Sequence, residues 1–425
     1  MTATPALPAT APAFHGPIVV RAAFAIAVFG WGFGFYGPPV FLHAVIARTG
    51  WSLSLVSTAV TFHFLLGACV VAVLPRIHRR IGMAAATSTG AVVLAAGTLG
   101  WALAQEPWQL FAAAMFTGAG WVMLGAAAIN AIVSPWFATG RPRALATAYN
   151  GASVGGVVFT PLWVALIGRY GFAAAATVAG LTMLAVVLPI AARVLARTPA
   201  NLGQAADGMP PAVEDGRPAR AEEVVRANGS LWRNRRFVTL AAAMAVGLFA
   251  QIGLIAQLYS LLVPAMGAQA AGWTMAMATA CGMAGRTVVA RMLGPRADRR
   301  LAASASYCIQ AIGTVLLICA GADQLMLIVL AVALFGLGIG NATSLPPLIA
   351  QVEFAKEDVP RVVARSVALA QALYAFAPAA FAAVLAAGAT SSQPAIGMGT
   401  ASFFVAVLVT QVAAIALMLY GRSRA

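Results

Sequence analysis

"PRIHRRI" (75–81) and "PRADRRL" (295–301) are two copies of one basic heptad, 220 residues apart in a chain of 425. Each follows a long apolar run, and two further matches keep nearly the same spacing. "GW" at 50–51 returns at 272–273, and "RPRALATA" (141–148) returns as "VPRVVARS" (359–366). Three matches in one order at an almost constant offset mark two related halves.

The runs between these landmarks define the solvent. Hydrophobic residues make up 61% of the chain and charged residues only 9%, with a mean hydropathy of +0.89. A water-soluble domain would carry roughly 25% charged residues. Apolar runs of membrane-spanning length recur near 18–46, 52–74, 83–104, 107–137, 143–168, 172–195, 236–264, 271–293, 301–321, 324–353, 361–389 and 395–420. Period-2 alternation is absent from them, so the spans read as helices with internally satisfied backbones. The expected fold is all-α: twelve transmembrane helices in two pseudo-symmetric six-helix bundles, 18–195 and 236–421. A Pro/Ala-rich tail (1–17) without a basic n-region precedes them, and 422–425 form a short C-terminal tail. The join, 196–235, holds five of the eleven acids and reads as a tether, with a helical piece over 219–227 and Trp232 at headgroup depth.

The net charge of +15 follows the same plan. Of 26 Lys and Arg residues, 22 fall on one side of the twelve-span arrangement, while only Arg48 and Arg169 fall on the other. Such asymmetry places both termini in the cytoplasm, in a bacterial inner membrane. The charge is therefore topology and not a nucleic-acid footprint; lipid is the expected surroundings, and a monomer the expected state. Cys69, Cys281, Cys308 and Cys319 lie inside apolar runs and read as small core residues, not as a disulfide or metal framework. His15, His43, His63 and His78 are scattered, so neither a metal nor another cofactor is expected.

Ionisable groups inside the membrane are functional candidates because they are costly there. No Asp or Glu falls mid-span; Glu353 is near the end of the tenth helix, and Glu106 and Asp323 sit in tight turns. That argues against a carboxylate-based exporter of cationic drugs and against a hydrolase, which needs a catalytic constellation. The exception is Arg286 in "GMAGRTVVARML" (282–293), nine residues before Pro295. At 1.5 Å per residue it lies roughly 13–15 Å from the basic end, too deep for easy snorkelling. A guanidinium forks well onto a carboxylate, so Arg286 is the candidate anion ligand; a structural arginine tied to backbone carbonyls is the alternative. His63 falls at similar depth on the pseudo-equivalent second helix and could bind the anion or a proton. The remaining polar set is Tyr36, Asn130, Tyr149, Asn150, Gln251, Gln257, Tyr259, Asn341, Gln371 and Tyr374; Tyr36, Asn130, Gln257, Asn341, Gln371 and Tyr374 are the candidates among them, each also able to act as interhelical glue.

With those residues in place, the chain resembles the major facilitator superfamily over its whole length. "GPRADRR" (294–300) resembles that family's Gly…Asp-Arg loop, which implies a gating contact for Asp298 and Arg299, with Arg76 and Arg80 in the first-half copy. There Pro75 and Arg79 stand where the family has Gly and an acid. "GWSLSLVS" (50–57), "PANLGQAADG" (199–208) and "GMAGRTVVARML" resemble the monocarboxylate-transporter and oxalate/formate-antiporter branches. The resemblance implies alternating access around a cavity lined by the first, fourth, seventh and tenth helices, with Arg286 as counter-charge. It also implies an acid four residues before that arginine; this chain has Gly282. The expected function is secondary active or facilitative transport of a small organic anion, a monocarboxylate, with no enzymatic activity. Efflux of an uncharged or amphipathic compound, with Arg286 structural, is the alternative.

Overall fold

The computed structural model describes residues 14–138, 140–208, 231–293, 297–355, 358–388 and 396–422. Its helices are α1 (Gly16–Thr49), α2 (53–81), α3 (83–103), α4 (Pro107–Trp136), α5 (Arg143–Tyr170), α6 (Phe172–Leu195), α7 (Arg235–Met266), α8 (Ala268–Met292), α9 (Arg299–Cys319), α10 (Leu325–Glu353), α11 (Arg361–Gly388) and α12 (Ala401–Tyr420). The described residues contain no strand. All are long enough to span a bilayer, and α8 is the most polar by hydropathy of those carrying a candidate ligand.

The packing repeats with the sequence. In the first half α1 lies on α5, α4 on α2 and α3, and α6 on α3; in the second α7 lies on α11, α10 on α8 and α9, and α12 on α9. The halves meet through α5 against α8, α2 against α11, and α1 against α7. Each interface pair maps onto itself or its counterpart when the halves are exchanged, as two descendants of one bundle require.

Several helices start where the sequence supplies a cap. Ser52 Oγ accepts the Leu55 N–H (3.3 Å) and Asn234 Oδ1 the Arg236 N–H (2.9 Å), while Glu106 and Gln109 form a reciprocal box ahead of α4. Three connections need no loop at all. Gly82 (φ 81, ψ 165), Gly171 (φ 79, ψ 163) and Gly267 (φ 78, ψ 160) each turn the chain between consecutive helices in a region open essentially to glycine alone.

Two expectations need correction. The first basic heptad is not a loop: α2 continues through Pro75 to residue 81 before Gly82 turns it. Its repeat behaves differently because Asp298 caps α9, its side chain accepting the Leu301 N–H (3.0 Å), whereas the first copy has Arg79 and no capping oxygen. The cysteines are not core residues. Cys69, Cys308 and Cys319 are exposed and Cys281 is half-buried, all as free thiols. In a bilayer the outer surface is apolar too, so an apolar run does not distinguish inside from outside.

The first and last helices begin and end, at Gly16 and Tyr420, on the same side of the bundle as the start of α7, here called the basic end. The first part of the join packs there. Gln204 Oε1 accepts the His15 N–H (2.9 Å), and the Asp207 carboxylate accepts the N–H groups of Ala138 (3.1 Å) and Gly140 (3.3 Å) ahead of α5. Trp232 is exposed with its ring against Phe237. The expected helical piece over 219–227 lies outside the described residues.

Candidate functional site

Four glycines decide where Arg286 sits. A Cβ on Gly285 would run into the Leu337 carbonyl, one on Gly336 would meet Ala278, one on Gly340 the Gly282 carbonyl, and one on Gly282 would come within 3.2 Å of the Gly336 carbonyl. Small residues thus let the α8 and α10 backbones touch. This accounts for Gly282 where the resemblance leads one to expect an acid. It also fixes Arg286 beside Gly340, where α10 is interrupted between Ile339 and Asn341.

The Arg286 side chain uses little of its hydrogen-bonding capacity. Its Nε donates to the Gly340 carbonyl at a long 3.3 Å, an oxygen that also accepts from Ser344 Oγ (3.0 Å). Among the described residues the two terminal nitrogens have no hydrogen-bond partner, and they are not fully buried. On a helix running from the far end to the basic end, the side chain leans back toward the middle of the molecule. Tyr36, an uncharged phenol, stands on the facing half beside Thr279, two turns earlier on α8. Gly156 on α5 makes room: a Cβ there would lie 2.6 Å from the Tyr36 ring and 2.7 Å from the Thr279 methyl.

Tyr36 owes its place to a break in α1. The N–H groups of Phe35 and Tyr36 both reach back to the Trp31 carbonyl (3.0 and 2.9 Å), and Gly37-Pro38-Pro39 restarts the helix. The carbonyl of buried Gly32, freed from its helical partner by this irregularity, accepts from Trp163 Nε1 (3.1 Å). Helices α1, α4, α10 and α11 are all interrupted at mid-depth, near Phe35, Gly125, Gly340 and Ala375.

The other sequence candidates divide into three groups. Gln371 and Tyr374 on α11 are half-buried, and the Tyr374 ring meets Phe64 across the halves (5.7 Å between centroids). Asn130 is exposed, its Oδ1 accepting from Ser134 Oγ (2.8 Å), and Asn341 is buried beside the α10 interruption with Oδ1 unpaired. His63 and Gln257 are 0% exposed. His63 is packed inside the first half, its Nδ1 2.9 Å from Thr117 Oγ1 and its ring stacked on Trp121. The Thr117 hydroxyl donates to the Ala114 carbonyl and accepts from Trp101, which makes Nδ1 the protonated ring nitrogen. Gln257 bridges the halves: Nε2 donates to Ser57 Oγ (3.1 Å) and to the Pro378 carbonyl (3.2 Å).

That bridge belongs to a larger closure. Thr61 Oγ1 accepts the Ala379 N–H (3.2 Å), and His43 meets Tyr259 edge-on (5.3 Å). These contacts lie on the far-end side of Arg286. Gln257 with Ser57 and Thr61 with Ala379 are hydrogen bonds that cross from one half to the other.

At the basic end Asp298 pairs with Arg422 Nε (2.7 Å), and Arg299 Nη1 donates to the Leu348 carbonyl (3.0 Å) near the end of α10. Arg76 and Arg80 are exposed and make no hydrogen bond or ion pair among the described residues. The principal ion pair had no forewarning. Arg300, 2% exposed, forks onto Glu353 through Nε (2.6 Å) and Nη2 (2.8 Å), and also donates to Thr239 Oγ1 and the Arg236 carbonyl. The signal was present: in a chain with eleven acids, Glu353 is one of few near a span, and the heptad supplies a third cation.

Two repeated bundles around a shared seam, closed toward one end and carrying an open guanidinium at mid-depth, define a carrier that spans the membrane. The chain belongs to the Major Facilitator Superfamily, whose family model matches residues 22–382. It is accordingly an integral membrane transporter and not an enzyme. No curated protein matches it. Among solved structures it is similar to a mutant of the nucleoside transporter NupG (10% identity, TM-score 0.72, covering 95% of this chain and 99% of that one). It is also similar to a bacterial homologue of the human lysosomal transporter Spinster, inward-facing and occupied (16%, 0.70, 96% and 99%). A third likeness is the peptide transporter POT with sulfate (15%, 0.68, 94% and 94%). At these identities the likeness is one of fold.

Proposed function

We propose that this protein carries a small organic anion, a monocarboxylate, across the bacterial inner membrane, with Arg286 as the counter-charge. One observation carries this reading: at mid-depth the terminal nitrogens of Arg286 have no hydrogen-bond partner among the described residues and are not fully buried. A charged group is left there at a cost of several kcal/mol unless it acquires a partner, and a carboxylate matches its fork. The neutral-substrate reading has the Gly340 contact in its favour, but that contact uses one of the five guanidinium N–H groups.

Tyr36, across the seam, supplies a hydroxyl next to the anion, and Gln371 with Tyr374 adds polar groups from α11. Asn130, Asn341 and His63 stand around or behind this space. The charge asymmetry supports a cytoplasmic basic end, so the described state is closed outward and opens inward. Gln257 and Thr61 then serve the outward closure. Opening outward requires Gln257 to release Ser57 and Thr61 to release Ala379 while the halves draw together at the basic end, where the contacts of Asp298, Arg299 and Arg300 keep the second half rigid. Arg76 and Arg80, unpaired here, are available for that inner closure.

The test is thermal stabilisation of the purified protein by a panel of mono- and dicarboxylates and neutral amphiphiles, since a bound ligand stabilises in proportion to occupancy. A monocarboxylate should stabilise the wild type and lose its effect in folded Arg286→Gln. Equal stabilisation of both proteins by neutral compounds would contradict the anion assignment.

A further inference from the structure

The walls around Arg286 say more than its charge does. Helix α1 is covered by α4, α5 and α6 and by the α2–α3 pair, and its upper part meets α7. The side left partly exposed carries Phe24, Val28, Trp31 and Phe35 at intervals of four, three and four, with Ala25 and Phe29 beside them, and runs along the space between the halves. Aromatic rings dominate that space. Tyr149 from α5 meets Trp31 edge-on (6.5 Å between centroids); Phe35 meets Tyr36 (5.0 Å) and Phe64 (6.4 Å); Phe64 meets Tyr374 on α11 (5.7 Å). Trp31, Phe35, Tyr36, Tyr149 and Tyr374 are all half-buried, which in the interior of a bundle means lining and not filling.

Tyr36 lies beside Thr279, two turns before Arg286 on α8, and Trp31 lies five residues nearer the basic end than Tyr36 on α1, about 7.5 Å along the axis and so toward the level of the guanidinium. The Tyr149 hydroxyl is tied down by the Ala126 carbonyl (2.9 Å), which holds its ring against Trp31. No acid is among these groups. A two- or three-carbon carboxylate bound at Arg286 would leave the aromatic wall wet, whereas a planar ring attached to the carboxylate would cover it.

We propose that the substrate is an aromatic monocarboxylate, with its carboxylate on Arg286 and its ring between Trp31, Phe35 and Tyr149. This rests on the assignment of Arg286 as the anion ligand. Flat rings against edge-on partners gain several-fold, up to about tenfold, in affinity beyond their area, which gives such a ligand an advantage that a saturated ring of equal size lacks.

The experiment compares dissociation constants for propionate, cyclohexylacetate, phenylacetate and neutral phenylacetamide, read by thermal stabilisation of the full-length protein in detergent. The proteins are wild type, Trp31→Leu, Trp31→Phe and Arg286→Gln. The wild type should prefer phenylacetate over cyclohexylacetate by about three- to tenfold, and over propionate by more. Trp31→Leu should erase the aromatic preference without changing propionate, and Trp31→Phe should keep most of it. Equal affinity for phenylacetate and cyclohexylacetate in the wild type, both lost in Arg286→Gln, would overturn the aromatic assignment and leave the anion site standing. Phenylacetamide binding as well as phenylacetate, unaffected by Arg286→Gln, would remove the anion site itself. Stabilisation by none of the four would count against both.

Discussion

Glu353→Gln tests how the second half is held together. Arg300 is 2% exposed and Glu353 18%, and four of the five guanidinium N–H groups are used: two on the carboxylate, one on Thr239 and one on the Arg236 carbonyl. A pair this far from water gains little net stability against apolar residues of the same shape, but removing one partner leaves a buried charge uncompensated, at about 3–5 kcal/mol. At about 2–4 °C per kcal/mol for a cooperative unit of about 150–250 residues, the melting temperature should fall by roughly 6–20 °C. The assay is thermal unfolding in detergent, followed by tryptophan fluorescence. Arg300→Met combined with Glu353→Leu removes both charges and should recover most of that loss. A Glu353→Gln shift under about 2 °C, or a double variant no better than the single one, would refute the account of a desolvated pair.

Other outcomes follow from the same geometry. Gly171→Ala meets no neighbouring atom but forces a side chain to φ 79, so it should cost about 1–3 kcal/mol through the backbone alone; Gly285→Ala at the α8–α10 contact should cost more, because its Cβ collides with the Leu337 carbonyl. Removing the Gln257 bridge (Gln257→Ala) should shift the population toward the state open at the far end, raising the labelling rate of a cysteine placed at buried Tyr259, which faces His43 across the halves, in an otherwise cysteine-free protein. Asp207→Ala should speed proteolysis of the join, since the Asp207 carboxylate holds it to the N–H groups of Ala138 and Gly140. Burial pushes the Asp298 carboxyl up, but the Leu301 N–H and the Arg422 guanidinium more than offset this and hold it below its ordinary value. Its contribution is therefore complete above the ordinary carboxylate range and is lost as pH falls through its lowered value; Asp298→Asn should flatten that acid limb of a melting-temperature profile.

The twelve spans were legible because a bilayer demands long apolar runs, and the repeat was legible because three short motifs kept their spacing. What one helix does with its neighbour was harder to read. The two heptads look alike, yet Arg79 continues a helix where Asp298 starts one, a difference made by a single capping oxygen. Arg286 stood out because its burial costs so much. Gly282 and Gly285 did not, since a glycine's purpose lies in the backbone it admits, here that of α10. Arg300 and Glu353 are separated by 53 residues and a whole helix pair, and nothing local couples them. Lipid-facing cysteines were misread for the same reason that the spans were easy: apolarity marks the membrane without saying which face points inward. Trp31 carries no polar group to mark it in the sequence, and its place in the proposed site rests on knowing which sides of α1 are covered.

The most direct test of the central claim is carboxylate counterflow in proteoliposomes, using a monocarboxylate that stabilises the purified protein. Wild type preloaded with unlabelled acid should accumulate labelled acid transiently. Arg286→Lys should do so weakly, because an ammonium lacks the fork, and Arg286→Gln should not do so above empty vesicles. Counterflow by Arg286→Gln at the wild-type rate, or wild-type transport of the neutral amide as fast as the acid, would contradict the account.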